Sequence, residues 1–340
     1  MDKTDMHVPP PEAVLMQMTM GKFVSKAISV IATLGVADHV AGPTAVGQLA
    51  SATGANADAL YRVLRALAAV GLFAETAGKK FALTPVGEVL RTDHPHSMRA
   101  MCRMLNDHWN WSAWGAFEHS VRTGESAFQH VFHERGFDYF AKHPEESRIF
   151  GEAMTSLTLG VSAAVVEAYD FSSIEHVVDV GGSHGILASA IVARYPQPRA
   201  TLFDLPHVIE EAKPRLAPHP HAGRIATVAG SFFEPLPKAD AYIMKSIIHD
   251  WDDASCVKIL TQCRTAMKPG GRVLIVESIV TDAPQSAFVK LLDLEMLAVT
   301  PGGRERTEPE YAELLRGAGL VMTRVVPTRG PFSVIEGRAG

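Results

Sequence analysis

The stretch Val177-Val178-Asp179-Val180-Gly181-Gly182-Ser183-His184-Gly185 constrains the fold more than any other part of the chain. Its valines suit a strand covered on both faces of a parallel sheet. The paired glycines that follow can take positive φ, which ends the strand and lets a ligand lie against bare backbone. Ile186-Leu187-Ala188 then resumes at helical spacing, so the segment reads as strand, loop and helix around a ligand. The loop also excludes ligands. A dinucleotide fingerprint places glycine at its first, third and sixth positions, and from Gly181 the third is Ser183 and the sixth Ile186. A Walker loop needs Lys and then Ser or Thr after its last glycine, whereas Gly42 to Gly47 is followed by Gln48-Leu49. The next strand, Ala200 to Phe203, runs into Asp204, a carboxylate placed where this architecture grips ribose hydroxyls. That suits an adenosine without a 2′-phosphate.

Further strings complete a pattern: FDLPHVI from Phe203, GSFFEPLPKADAYIMKSIIHDWDD from Gly230, KPGGRVLIVES from Lys268 and PGGRERT from Pro301. With the glycine loop they resemble the S-adenosylmethionine-dependent O-methyltransferase family of caffeate and hydroxyindole type, which includes bacterial tailoring enzymes. The resemblance is specific from about Val177 to Glu336 and looser before that. It implies an α/β fold in which a Rossmann-like class I methyltransferase domain, with a mostly parallel seven-stranded sheet, follows an N-terminal α-helical winged-helix dimerisation domain. The expected divisions are a dimerisation domain at 1–97, a helical substrate cap at 98–170 and the catalytic domain at 171–340. It further implies S-adenosylmethionine as cofactor, S-adenosylhomocysteine as product, no metal, a homodimer and an aromatic hydroxylated small molecule as acceptor.

Composition fits a soluble enzyme. The formal net charge of -5 gives no nucleic-acid footprint. Cys102, Cys256 and Cys263 form no CxxC pair, and an odd count fits reduced thiols in a cytoplasm. Val14 to Leu34 is apolar but carries Gln17, Lys22, Ser25 and Lys26 and follows three prolines, so it reads as neither signal peptide nor membrane span. It docks either on a partner chain or on its own core. Residues 42 to 91 read as a winged helix, with helices from Thr44 and Ala57 and a hairpin across Ala77-Gly78. Arg62 and Arg65 stand among leucines there, and charges nearly balance over the first hundred positions, which disfavours DNA.

Between Met98 and Tyr169 lie three of the four tryptophans and many phenylalanines, material for a core or for the wall of a flat apolar pocket. From the resemblance, Asn106, Trp109, Trp114, Phe150 and Met154 face the acceptor, as do Asp293 and Met296 before the Pro301 motif. His130 and His133 lack a third ligand to complete a zinc site. Alternating strands and helices after residue 171 imply a parallel sheet, with function gathered at strand carboxyl ends. Gly181, Gly182, Asp204, Ser231, Phe232 and Lys245 are the expected cofactor contacts; the family commonly has aspartate at 231 and glycine at 183.

His249 follows a strand end, and an imidazole of ordinary pKa suits a base near neutrality. The family's motifs match it together with Glu277 and Glu305. A carboxylate accepting Nδ1–H fixes the tautomer and leaves Nε2 to take a proton. The expected reaction is in-line displacement at the sulfonium methyl by a phenolic oxygen, with His249 as general base. Two other readings stay open: a fold relative using the cofactor for hydroxylation or decarboxylation, and a non-catalytic winged-helix regulator.

Overall fold

The computed structural model describes residues 9–283 and 286–340. The chain divides into two compact units between Asp107 and His108, inside the stretch expected as a helical cap. In the first unit, α1 (Pro11–Leu34) opens with proline at its first position and closes at Gly35, whose φ of 68° suits a left-handed cap. Its amino-terminal part is bare, with Leu15 65%, Met18 72% and Phe23 59% exposed. Its other end buries Ile31 in a core with Leu49, Leu64, Leu67, Phe73 and Phe81. These residues come from α2 (Val46–Thr53), α3 (Ala57–Ala69) and the hairpin β2 (Phe73–Thr76) and β3 (Lys80–Leu83). Thr44 and Ala45 are not the start of a helix: they form β1, antiparallel to β3. Asn56 caps α3 by accepting the Ala59 N–H at 3.0 Å. The unit is completed by α4 (Pro85–Glu88) and α5 (Arg99–Met104).

The second unit begins with short helices, α6 (His108–Gly115), α7 (Phe117–Thr123), α8 (Ala127–Phe132) and α9 (Gly136–Lys142), then the long α10 (Pro144–Ala168). Beyond them strands and helices alternate: β4 (His176–Val180), α11 (Ile186–Arg194), β5 (Arg199–Asp204), α12 (Pro206–Leu216), β6 (Ile225–Ala229), β7 (Ala239–Lys245), α13 (Asp253–Ala266) and β8 (Met267–Ser278). The chain closes with α14 (Ala287–Val299), α15 (Glu308–Gly317), β9 (Leu320–Pro327) and β10 (Phe332–Ala339). The sheet order is β6-β5-β4-β7-β8-β10-β9, parallel except for β10, which runs antiparallel to β8 and β9. This is the mostly parallel seven-stranded sheet that the family resemblance implied.

Both faces are covered, which explains the unbroken valines of β4. Val178 and Val180 join Tyr242, Met244, Val273 and Ile275 in one core with α13 and α15. Val177 joins Ala241, Ile243 and Leu274 in the other, with α10 and α11. Cys256 and Cys263, on one face of α13, are fully buried in the first. Strand order reverses between β4 and β7: the chain winds outward through β5 and β6, then returns. The crevice outside the carboxyl ends of those two strands is where such sheets hold ligands.

Candidate active site

Gly181 leaves β4 with φ of 67°, and a Cβ there would meet Ile247 Cδ1 at 2.5 Å and the Phe232 ring at 3.8 Å. Gly182 serves differently from the expectation. Positive φ falls on Gly181, Ser183 (51°) and Gly185 (73°), not on Gly182. At Gly182 a Cβ would lie 2.7 Å from Asp179 Oδ2, so a buried carboxylate demands glycine there. Ser183 takes the left-handed conformation where the family commonly has glycine. Its N–H donates to Asp204 Oδ2 at 2.9 Å, and Leu205 N–H donates to Oδ1 at 2.7 Å. Each carboxylate oxygen keeps a second lone pair for another donor. Burial pushes the Asp204 carboxyl up, while these two amides pull it down. Burial also lifts Asp179 to about 7, against the Ala188 N–H that its Oδ2 accepts at 3.0 Å.

Phe232 packs edge-on to Trp251, centroids 5.7 Å apart, beside the bare edge of Gly181. Ser231 Oγ accepts the Phe233 N–H at 3.3 Å. Lys245, the last residue of β7, donates to Ser246 Oγ at 3.0 Å. Burial lowers its pKa despite the carboxylates of Glu277, Asp250 and Asp179.

Ser246, with φ of 54°, turns the chain sharply out of β7 into a single helical turn, Ile248–Asp250, that carries His249. Glu277, near the end of β8, holds this turn by its backbone. Its Oε1 accepts the N–H groups of Ile247, Ile248 and His249 at 3.0, 3.0 and 3.4 Å. Glu305 meets the ring itself: His249 Nδ1–H donates to Glu305 Oε1 at 2.6 Å, while Glu277 Oε2 stands 3.6 Å from Nδ1. On the other side, Asp250 Oδ1 lies 3.5 Å from Nε2.

His249 is 7% exposed. Burial alone would depress its pKa, but Glu277, Asp250 and Glu305 outweigh burial and lift it to about 10. The ring is raised above the ordinary value expected from sequence because two buried carboxylates, Glu277 and Glu305, and the half-buried Asp250 crowd one imidazole. Burial raises Glu277, and burial lifts Asp250 to about 6. His249, Glu277 and Glu305 also bring one ligand atom each within 4.8 Å of one another, a spacing a cation could bridge. Chemically, the arrangement is an oriented base whose Nδ1 is engaged by Glu305 and whose Nε2 has Asp250 Oδ1 3.5 Å away.

The expected acceptor residues spread over three places. Asn106 belongs to the first unit, where its amide donates to Ser25 Oγ at 2.9 Å. Trp109 and Phe150 join a chain of rings. Trp109 packs edge-on to Phe140 at 5.2 Å, Phe140 stacks on Phe150 at 4.9 Å, and Phe137 links Phe150 to Trp251 at 6.3 and 6.2 Å. That chain ends two residues from His249. Met154 is half-buried on α10 and Met296 buried on α14. Trp114 donates its indole N–H to Glu295 Oε2 at 2.6 Å, and Asn110 donates to Oε1. Asp293 Oδ1 accepts the Glu305 N–H at 2.8 Å, so one oxygen of the carboxylate proposed for the acceptor steadies the loop behind His249 instead.

Sequence reasoning missed four contributors. Asp250 is adjacent to His249, and adjacency was the available signal. Asp179 stands inside the glycine motif. Arg306 stands inside the PGGRERT string, next to Glu305, and Glu295 left no signal, since its partners Asn110 and Trp114 are far off in the chain.

A parallel sheet of this order, with a glycine cradle and buried carboxylates at its switch point, defines a class I methyltransferase. A family model described as O-methyltransferase domain matches residues 114–321, and one described as O-methyltransferase dimerisation domain matches 16–93. The chain belongs to the S-adenosylmethionine-dependent O-methyltransferase family. It is 42% identical over 331 residues to phenazine O-methyltransferase PhzM of Lysobacter antibioticus, covering 97% of this chain and 96% of that one. The crystal structure of LaPhzM superposes with a TM-score of 0.94 at 41% identity, over 98% of this chain and 100% of that one. NcsB1, from neocarzinostatin biosynthesis and solved with S-adenosylmethionine and 2-hydroxy-5-methyl naphthoic acid, gives 0.79 at 35%, over 93% and 96%.

Proposed function

We propose that the enzyme methylates a hydroxyl on a flat aromatic acceptor, with His249 taking the hydroxyl proton on Nε2. The observation that carries this reading is the buried Nδ1···Glu305 contact of 2.6 Å in the turn that follows the carboxyl end of β7. The cradle suits S-adenosylmethionine: Gly181 leaves bare backbone, Asp204 offers acceptors to a ribose diol, and Phe232 offers a ring to adenine, with Ser231 and Lys245 at neighbouring strand ends. When bound, this cofactor supplies an electrophilic methyl group. Glu305 fixes the tautomer of His249 and stabilises its charged form, while Glu277 fixes the turn through three amides. The buried surroundings exclude water and strengthen these interactions. General-base assistance of this kind contributes about 10² to 10⁴ in rate.

The acceptor class follows from the ring chain leading to Trp251 and from relatives whose names specify a phenazine and a naphthoic acid. Trp109, Trp114, Phe150, Met154, Asp293 and Met296 are proposed for the acceptor side, with Asn106. The first unit is proposed as a winged helix that forms a homodimer through the bare part of α1, and the enzyme as cytoplasmic with reduced thiols. Incubating the enzyme with isotopically labelled S-adenosylmethionine and a panel of hydroxylated phenazines, naphthoates and benzoates, read by mass spectrometry, tests the activity. Label on no hydroxyl of the panel would refute the reading.

A further inference from the structure

Arg306 is the bulkiest of the fully buried side chains, with no exposed surface. A buried guanidinium is tolerated only where its donors and its charge are met. Here each of its nitrogens is satisfied. Nε and Nη2 donate to Asp253 Oδ1 at 3.1 and 2.8 Å, and Nη2 also donates to the Trp251 carbonyl at 2.8 Å. Nη1 donates to the carbonyls of Ile248 and Arg304 at 3.0 and 3.1 Å. Those five bonds use the full donor set of arginine. The carbonyls of Ile248 and Trp251 bracket the turn that carries His249.

The backbone of Arg306 ties down a second segment. Its carbonyl accepts the Val280 N–H at 3.0 Å, and it bridges Ile279 in parallel register, just beyond Glu277. By covalent bond it anchors Glu305. One residue thus joins the three segments that bring His249, Glu277 and Glu305 together. The geometry points to Arg306 as a positioning residue that sets the reach between His249 and Glu305. Being fully enclosed by protein, it acts through them and not on a ligand. The fork is what matters: lysine has the charge but three donors on one atom, and cannot span carbonyls on both sides of the turn.

This inference rests on His249 being the base, so Arg306→Lys is measured beside His249→Ala, Glu305→Gln and the Glu305→Gln/Arg306→Lys double variant. Turnover is expressed per cofactor site, counted by calorimetric titration with S-adenosylhomocysteine, so that misfolded protein does not count. Arg306→Lys is expected to lose about tenfold or more in kcat, with both KM values within about threefold. In the double variant the two losses are expected not to multiply, because both act on one contact. A kcat within about threefold of the parent, or losses that multiply in full, overturns the inference. If Arg306→Lys does not fold, Asp253→Asn, at the exposed start of α13, is judged by the same two criteria. Wild-type turnover in His249→Ala would instead overturn the underlying reading of the base.

Discussion

Replacing Glu305 by glutamine removes the charge that His249 Nδ1–H faces at 2.6 Å while keeping an acceptor of the same shape. In the parent enzyme His249 is raised to about 10. A group raised in this way is protonated below its pKa, so the basic form grows with pH. Log kcat/KM is therefore expected to climb with unit slope from neutrality towards pH 10. Hydrogen bonds to charged groups are worth about 1.5 to 3 kcal/mol, which corresponds to about one to two pKa units. Glu305→Gln should move the rising limb down by that amount. Its plateau should also fall, by about tenfold to a hundredfold where the contact is fully expressed in the transition state. The loss should accordingly be smallest at low pH and grow with pH up to pH 10, where the parent's rising limb approaches its plateau. The assay is initial-rate methylation from pH 6 to 10 with one acceptor throughout, so that the acceptor's own ionisation stays common to both enzymes. A variant profile parallel to the parent's, scaled down equally at every pH, would refute the argument.

Other outcomes follow from the same geometry. His249→Ala should cut turnover at least about a hundredfold and leave calorimetric affinity for S-adenosylmethionine near that of the parent; a milder loss removes histidine as base. Asp204→Ala should abolish measurable cofactor binding, and near-parental affinity would reject its ribose role. At Gly303 a Cβ would sit 2.4 Å from the His249 carbonyl and 2.3 Å from Thr300 Oγ1, so Gly303→Ala should lower kcat about tenfold or more through displacement of the turn; parental kcat would show that the turn can yield. Glu336 is drawn down to about 2: burial opposes ionisation, but Tyr169, Arg338, Thr323 and Arg324 outweigh it. Its stabilisation is present above its ordinary pKa and fades as pH falls towards 2. Glu336→Gln should cost about 1–2 kcal/mol at pH 7 after allowance for the solvent-facing arginines and flatten the acid limb of the melting curve. An unchanged acid limb would count against it.

The sheet was legible because its information is local. Valine runs flanked by glycine and proline fix strands covered on both faces, and parallel connections leave few ways to order them. The proximity of His249, Glu277 and Glu305 was legible only through strings matching a family, since no spacing in one chain reveals that residues 249 and 305 touch. What escaped notice depends on single long-range contacts. Asp293 read as a carboxylate for the acceptor, yet one of its oxygens holds the Glu305 amide. Gly182 read as a positive-φ turn residue, yet it makes room for Asp179. The basicity of His249 escaped for a related reason: Asp250 is its neighbour in the chain, but Glu277 and Glu305 converge on it from distant segments.

The long α10 has a consequence for how acceptor range changes. Its carboxyl half is fixed in the sheet's core through Val161 and Val165, and its amino half carries Phe150 against Phe140. His184 of the glycine loop also lies against it, with Nδ1 2.6 Å from Thr155 Oγ1 and its ring 3.3 Å from where a Gly151 Cβ would stand. A rod pinned at one end and braced by the cofactor loop near the other cannot swing to admit a wider guest without disturbing the loop. On the acceptor site proposed above, room for a new acceptor must then come from the short helices between residues 108 and 142, whose joints can be lengthened or trimmed one at a time. Diversification of this scaffold should concentrate there, leaving the rod as a fixed ruler against which each new guest is measured.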